Sequence, residues 1–185
     1  MVIRSITQVV FAAGRLHPQK GFSDLIHSIY LSLPTNPNIR LIIAGIGLMH
    51  DSLLSQATSL GISNYIQLVG YHPELTAFYQ YSSIFVCSSL WEGFGNVIVE
   101  ALSCGTTVVS TDCPGGPSFI LDYGKYGYLT PVANPSALSQ SILRALSCPM
   151  NPDLLIERAR SFLTTFIASE YLTILSSFSS GPHEA

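Results

Sequence analysis

Residues 84–105 read IFVCSSLWEGFGNVIVEALSCG. Ile84 to Ser88 is an apolar run of strand length, the loop that follows carries Glu92 and Gly93-Phe94-Gly95, and the apolar residues after it have the makings of a helix that contains Glu100. A buried strand, a glycine loop and a helix make one βα unit. Glu100 stands among Val97, Ile98, Val99, Ala101 and Leu102, so the helix is expected to be mostly buried and its carboxylate to need hydrogen-bond partners. Gly93 and Gly95 let the backbone approach a ligand closely, and the start of the helix offers free N–H groups. Two carboxylates for sugar hydroxyls, around a cradle for an anion, is the chemistry this arrangement suits.

The same unit recurs on both sides of the stretch. Toward the N-terminus, Gln8 to Ala13 reads as a buried strand, Phe22 to Leu33 as a helix stopped by Pro34 and Pro37, and Ile39 to Ala44 as a strand. A helix follows through Leu60 with Gly61 at its C-terminus, then a strand over Tyr65 to Val69 and a helix opened by His72-Pro73-Glu74 and running to Tyr81. Beyond residue 105 come a strand at Thr107 to Ser110, a short helix at Ser118 to Leu121, an edge strand at Tyr126 to Leu129, and helices over 135–146, 152–163 and 166–177. Strands alternating with helices predict an α/β chain: a Rossmann-like, doubly wound parallel sheet with helices on both faces. Such sheets bind ligands outside the carboxyl ends of their strands. The Gly14–Gly21 loop, Gly45-Ile46-Gly47, Tyr71-His72, the Glu92 loop and Gly115-Gly116 all fall there.

Composition narrows the function classes. The 185 residues suit one domain with a real core. A net charge of −3 gives no basic face for nucleic acid. Charged residues make up 10% of the chain and apolar ones 48%, against a usual charged share of about 25%, so part of the surface is expected to be covered by something outside this chain. No apolar run has membrane-span length. Cys87, Cys104, Cys113 and Cys148 lack CxxC spacing and read as reduced thiols; no HExxH or similar pattern proposes a metal.

Arg15 and Lys20 flank a proline turn at the end of the first strand. Two cations on a glycine-bounded loop can converge on a diphosphate, one as a planar fork and the other as a point charge; the alternative is a solvated loop. Gly45-Ile46-Gly47 lacks the third glycine of the dinucleotide fingerprint and reads as a tight turn. Glu92 and Glu100 can also be compared with a glycosidase pair, but one lies in a loop and the other inside a helix beside an anion cradle, which favours binding hydroxyls. His17 and His72 read as bystanders, Cys113 has no base beside it, Phe78, Tyr79 and Tyr81 are spaced for helix contacts, and Tyr71 is a candidate base-pocket wall.

The strings GRLHPQKGFSDLI, LIIAGIG, IQLVGY and FVCSSLWEGFGNVIVEALSCGTTVVSTDCPGG resemble the retaining glycosyltransferases of family four, of the GT-B fold, over roughly residues 8–175. The match is nearest to bacterial enzymes that build polysaccharides and lipid-linked glycans. The resemblance implies that residues 1–178 are the C-terminal, nucleotide-sugar donor-binding domain, that 179–185 form a flexible tail, and that the N-terminal acceptor domain is absent from this chain. It implies transfer of a hexose from a UDP- or GDP-linked donor, a substrate rather than a cofactor, to a glycan or lipid-linked acceptor.

By the family pattern Arg15 and Lys20 bind the donor diphosphate, Glu92 contacts the transferred sugar, and Glu100 holds the ribose hydroxyls; Glu92, Arg15 and Lys20 are the catalytic candidates. Gly14, Gly93, Phe94, Gly95, Asn96 and Val97 complete the donor cradle, and no metal is called for because cations and helix N-termini meet the leaving charge. The implied location is cytoplasmic, or peripheral at the inner membrane face. Where the family commonly has an Arg-Glu pair after Gly-Gly-Pro, this chain has Ser118-Phe119. The rival from another class is a split nucleotide-sugar-binding module that depends on a partner chain for the acceptor half. A phosphorylase of the same fold would want a cofactor lysine, and Lys20 and Lys125 sit in no such setting.

Overall fold

A computed structural model of the chain describes residues 7–163 together with Ala168, Tyr171 and Leu172. Strands β1 (Gln8–Ala13), β2 (Ile39–Ala44), β3 (Ile66–Gly70), β4 (Ile84–Cys87), β5 (Val108–Thr111) and β6 (Tyr128–Thr130) form one sheet in the order β3-β2-β1-β4-β5-β6. Every pairing is parallel, with Val10 beside Ile84 where β1 meets β4. Helices α1 (Phe22–Ser32), α2 (His50–Ser59), α3 (Thr76–Tyr81), α4 (Asn96–Ser103), α5 (Pro117–Ile120), α6 (Pro135–Ser147) and α7 (Pro152–Arg160) connect and cover the strands. A parallel sheet buried on both faces needs apolar residues at successive positions, and the strands have them.

The pleat sorts each run into two cores. Val10, Ala12, Leu41, Ile43, Ile84 and Val86 join α1, α2 and α6 on one face. Phe11, Ala13, Ala44, Phe85, Cys87 and Val108 join α3, α4 and α7 on the other. The strand order reverses direction between β1 and β4, which makes the carboxyl ends of these two strands the topological switch point of the sheet.

The structure corrects several expected boundaries. His72-Pro73-Glu74 does not open a helix: α3 begins at Thr76, and the Glu74 carboxylate accepts from the Thr76 N–H at 2.9 Å, doing the work of an N-terminal cap from two residues upstream. The last strand begins at Tyr128 rather than Tyr126, because the Tyr126 N–H is taken by the Leu121 carbonyl at 3.0 Å and its ring lies against Arg158 and Lys125. Helix α7 stops at Arg160. The helix expected over 166–177 lies outside the described residues except for Ala168, Tyr171 and Leu172, which are helical; the tail at 179–185 lies outside them altogether.

Candidate active site at the switch point

Two loops leave the carboxyl ends of β1 and β4, and they are stitched together. The Leu90 N–H donates to the Gln19 carbonyl at 2.7 Å, Gln19 Nε2 donates to the Trp91 carbonyl at 2.9 Å, and the Ser88 hydroxyl donates to the Lys20 carbonyl at 2.7 Å. Local chemistry shapes the first loop: His17 Nδ1 accepts from the Gln19 N–H at 3.3 Å and so caps the short 3-10 turn at Pro18–Lys20. His17 therefore has a structural task.

Across the seam, Lys20 Nζ meets Glu92 Oε1 at 2.6 Å, with only 18% and 8% of the two side chains exposed. The same carboxylate oxygen accepts from the Ser89 hydroxyl at 2.5 Å. A carboxylate this deep needs both partners, since an unpaired one would cost several kcal/mol, on the order of 3–5. Cys87 lies beneath, and burial, reinforced by the charge of Glu92, pushes its thiol up to about 11.

A third loop closes from β5. The Glu92 N–H donates to the Pro114 carbonyl at 3.0 Å, and Gly115 and Gly116 lie so near the Glu92 and Phe94 carbonyls that a Cβ on either would fall 2.1 and 1.8 Å from those oxygens. On the outer side the Phe94 ring meets Phe162 edge-on at 5.9 Å, Phe162 meets Phe119 likewise, and the Arg158 guanidinium lies over Phe162 at 4.8 Å while donating to the carbonyls of Phe119 and Ile120. Phe119 is thus part of an aromatic brace, and Ser118 donates its hydroxyl to Asp112.

Helix α4 starts from Gly95, whose φ of 102° suits glycine, and no side chain caps it. Its first N–H groups, at Asn96 and Val97, have no acceptor among the described residues, leaving a partial positive charge at the loop. The helix is not mostly buried, contrary to the expectation from its flanks. Ile98, Ala101 and Leu102 are buried, whereas Asn96, Glu100 and Ser103 face out. Glu100 is an exposed carboxylate with one fixed side-chain partner among the described residues, the Tyr79 hydroxyl, which donates to Oε2 at 3.0 Å.

A cleft of about 710 Å³ opens beside these loops. Gly14, Arg15, Val97 and Glu100 line it, with Gly45-Ile46, Tyr71, His72 and Tyr79. The Arg15 side chain is exposed and engages no partner among the described residues. Lys20 and Glu92–Asn96 are outside the lining, yet the Lys20 stem lies over Gly14, where a Cβ would come within 3.1 Å of Lys20 Cε. The structure thus brings Gly14, Arg15, Val97 and Glu100 into one cleft and joins Lys20 to Glu92 next door. It does not present Arg15 and Lys20 as two free cations, because the Lys20 ammonium is held by Glu92. Tyr79, Ser89 and Gln19 were missed as site residues: their partners stand 21 positions away, on the neighbouring side chain's own loop, and 72 positions away respectively, and the two long separations leave no local spacing to read.

The model for the family described as "Glycosyl transferases group 1" matches residues 3–162. The chain belongs to this family. A glycosyltransferase of Methanocaldococcus jannaschii is 40% identical over 130 residues, which cover 63% of this chain and 32% of the relative. The lipopolysaccharide core biosynthesis glycosyltransferase LpsE of Rhizobium meliloti is 30% identical over 165 residues, covering 89% and 47%. Among solved structures, Anabaena HepE in complex with UDP superposes with a TM-score of 0.78 at 25% identity over 95% of this chain and 49% of that one. The pneumococcal O-GlcNAc transferase GtfA, in complex with UDP and GlcNAc, superposes with a TM-score of 0.81 at 22% identity over 96% and 37%. The fold neighbours are GT-B glycosyltransferases, and the chain spans a third to about a half of the length of these relatives. Among the described residues no helix is long and apolar enough to cross a membrane.

Proposed function

We propose that this chain is the donor-binding half of a retaining glycosyltransferase that moves a hexose from a nucleotide diphosphate sugar, with UDP as the first nucleotide to test, to a glycan or lipid-linked acceptor. The observation that carries the proposal is the cleft at the switch point, with the guanidinium of Arg15, unpaired among the described residues, and the exposed carboxylate of Glu100 in the same lining. Glu100 receives the ribose hydroxyls as charged hydrogen bonds. The diphosphate lies between Arg15 and the open N-terminus of α4, with Lys20 joining from its pair with Glu92. Glu92 faces the sugar with the oxygen that Lys20 and Ser89 leave free. As the bond from the sugar to the diphosphate breaks, the leaving oxygens gain negative charge, and the cations and the helix N-terminus stabilise it where it develops. Relatives whose names print UDP, and the UDP complexes of the fold neighbours, support the choice of nucleotide.

Transfer also needs an acceptor half, in the same polypeptide or as a partner chain. The exposed Ile46, Leu48, Tyr71 and Trp91 at the carboxyl end of the sheet offer it an apolar face, and a GtfA/B complex stands among the fold neighbours. The test is titration of UDP, GDP and uridine into wild type, Arg15→Ala and Glu100→Ala. Glu100→Ala should weaken UDP by about 1–3 kcal/mol. Arg15→Ala should weaken UDP and spare uridine; equal loss for both would make Arg15 structural. A folded domain that binds no nucleotide would refute the donor site.

A further inference from the structure

Tyr79 was expected only to pack, and its ring does. It is 1% exposed, lies edge-on to Phe11 at 5.3 Å and to Phe85 at 5.2 Å, and its carbonyl accepts from the buried Thr106 hydroxyl at 2.8 Å. A ring so held cannot swing. Tyr79 nevertheless belongs to the lining of the cleft, and its hydroxyl donates to Glu100 Oε2 at 3.0 Å. Glu100 makes no other side-chain hydrogen bond or ion pair among the described residues, and it sits on the solvent face of α4.

An exposed glutamate is free to sample rotamers, and that freedom would have to be given up each time a ligand bound. A cis-diol wants a carboxylate held with its remaining lone pairs toward the two hydroxyls. One carboxylate oxygen fixed by a rigid phenol meets that requirement before the ligand arrives. Burial, and next the charge of Glu100, hold the phenol well above its ordinary range, so Tyr79 remains a donor at any working pH.

We infer that Tyr79 is a positioning residue for the ribose: by holding Glu100 Oε2 from a clamped ring, it aims the Glu100 carboxylate at the 2′- and 3′-hydroxyls and sets the preference of the site for ribonucleotides. The inference deepens the donor-site reading and rests on it. Tyr79 does not touch the nucleotide; it acts through Glu100.

The experiment is calorimetric titration of UDP and of 2′,3′-dideoxy-UDP into wild type, Tyr79→Phe, Glu100→Ala and the double variant. Tyr79→Phe keeps the ring and removes one oxygen. It should weaken UDP roughly tenfold, as expected for the loss of a hydrogen bond to a charged group. It should leave dideoxy-UDP as in wild type, and add nothing in the Glu100→Ala background. Glu100→Asp supplies a second arm that leaves the aromatic core untouched: its shorter carboxylate cannot meet both the phenol and the diol, and it should lose discrimination between the two nucleotides. Equal weakening of both nucleotides by Tyr79→Phe, a full additional loss in the double variant, or wild-type discrimination in Glu100→Asp would each overturn the assignment. If discrimination is lost in Glu100→Ala but kept in Tyr79→Phe, the donor site stands and the role of Tyr79 falls. If wild type binds no UDP, both fall.

Discussion

Gly116→Ala is the sharpest probe of how the site is assembled. Gly116 has φ −85° and ψ −18°, a conformation open to any residue, so alanine adds no backbone strain there. What it adds is a methyl group 1.8 Å from the Phe94 carbonyl oxygen and 2.7 Å from its carbon. Those atoms are backbone, so no side chain can rotate away; the carbonyl must withdraw by about 1.2 Å to reach 3.0 Å, the shortest approach real Cβ atoms make. Overpacking of this kind costs about 1–3 kcal/mol. For a chain of this length that corresponds to a fall in melting temperature of roughly 2–12 °C. The larger effect should be on the ligand. The Phe94 carbonyl leads directly into Gly95 and the first N–H groups of α4, and a displacement of about an ångström in a positioning group can cost on the order of a hundredfold in rate. Thermal melting and UDP titration read the two consequences separately, with uridine as the control that needs no phosphate cradle. A variant that melts within about a degree of wild type and binds UDP as tightly would refute the claim that contact between the loops sets the site.

Three further outcomes follow from the geometry. Lys20→Met leaves the Glu92 carboxylate, 8% exposed, with the Ser89 hydroxyl as its one close donor, and should destabilise the domain by about 3 kcal/mol, whereas Lys20→Met combined with Glu92→Gln should recover much of that loss in urea unfolding. Arg158→Ala removes two hydrogen bonds to the carbonyls of Phe119 and Ile120 and the cation over Phe162, and should lower stability by about 2–3 kcal/mol while leaving uridine binding unchanged. Because Cys87 is raised to about 11 in the folded state against 9.0 for an ordinary thiol, the folded chain keeps a proton that the unfolded chain releases; stability should decline as pH rises from 9 toward 11, and Cys87→Ala should flatten that decline in pH-dependent melting.

The sheet was legible because parallel strands buried on both faces leave a coarse mark: Gln8–Ala13, Ile39–Ala44 and Ile84–Cys87 are short apolar runs bounded by polar or glycine positions. Short runs at the sheet edge carry less of that mark. Tyr126 looks as strand-like as Tyr128, and only the Leu121 carbonyl and the Arg158 stack decide against it. Glu100 was misjudged because neighbours in sequence point to different faces of a helix. The informative positions are three and four apart, and Ile98, Ala101 and Leu102 leave Glu100 outside. The ion pair of Lys20 was not legible for a different reason. Residue type told that Lys20 and Arg15 share a loop, but the partner of Lys20 lies 72 positions away on a loop from another strand. Only topology brings the two together.

On the proposed reading, the arrangement explains how an acid in the loop before α4 and an acid on α4 itself can serve one donor without acting alike. Glu92 is fixed by charge: it precedes α4, sinks to 8% exposure, and answers to Lys20 and Ser89. Glu100 is fixed by a neutral donor: it stands on the second turn of α4, exposed, and answers to Tyr79. A neutral partner leaves the carboxylate its full negative charge for the hydroxyls of a ligand, whereas an ammonium partner compensates that charge and leaves the pair close to neutral overall. An acid meant to grip hydroxyls at the open end of a cleft is better served by the first arrangement. An acid placed beside a diphosphate is better served by the second, since an uncompensated carboxylate there would repel the phosphates it sits among. Exchanging the two settings, by giving Glu100 a cation through Ser103→Lys one turn below it, should therefore weaken the grip on the ribose while leaving the phosphate end unchanged; UDP weakened with inorganic diphosphate unaffected is the expected pattern, and tighter UDP binding would contradict the reasoning.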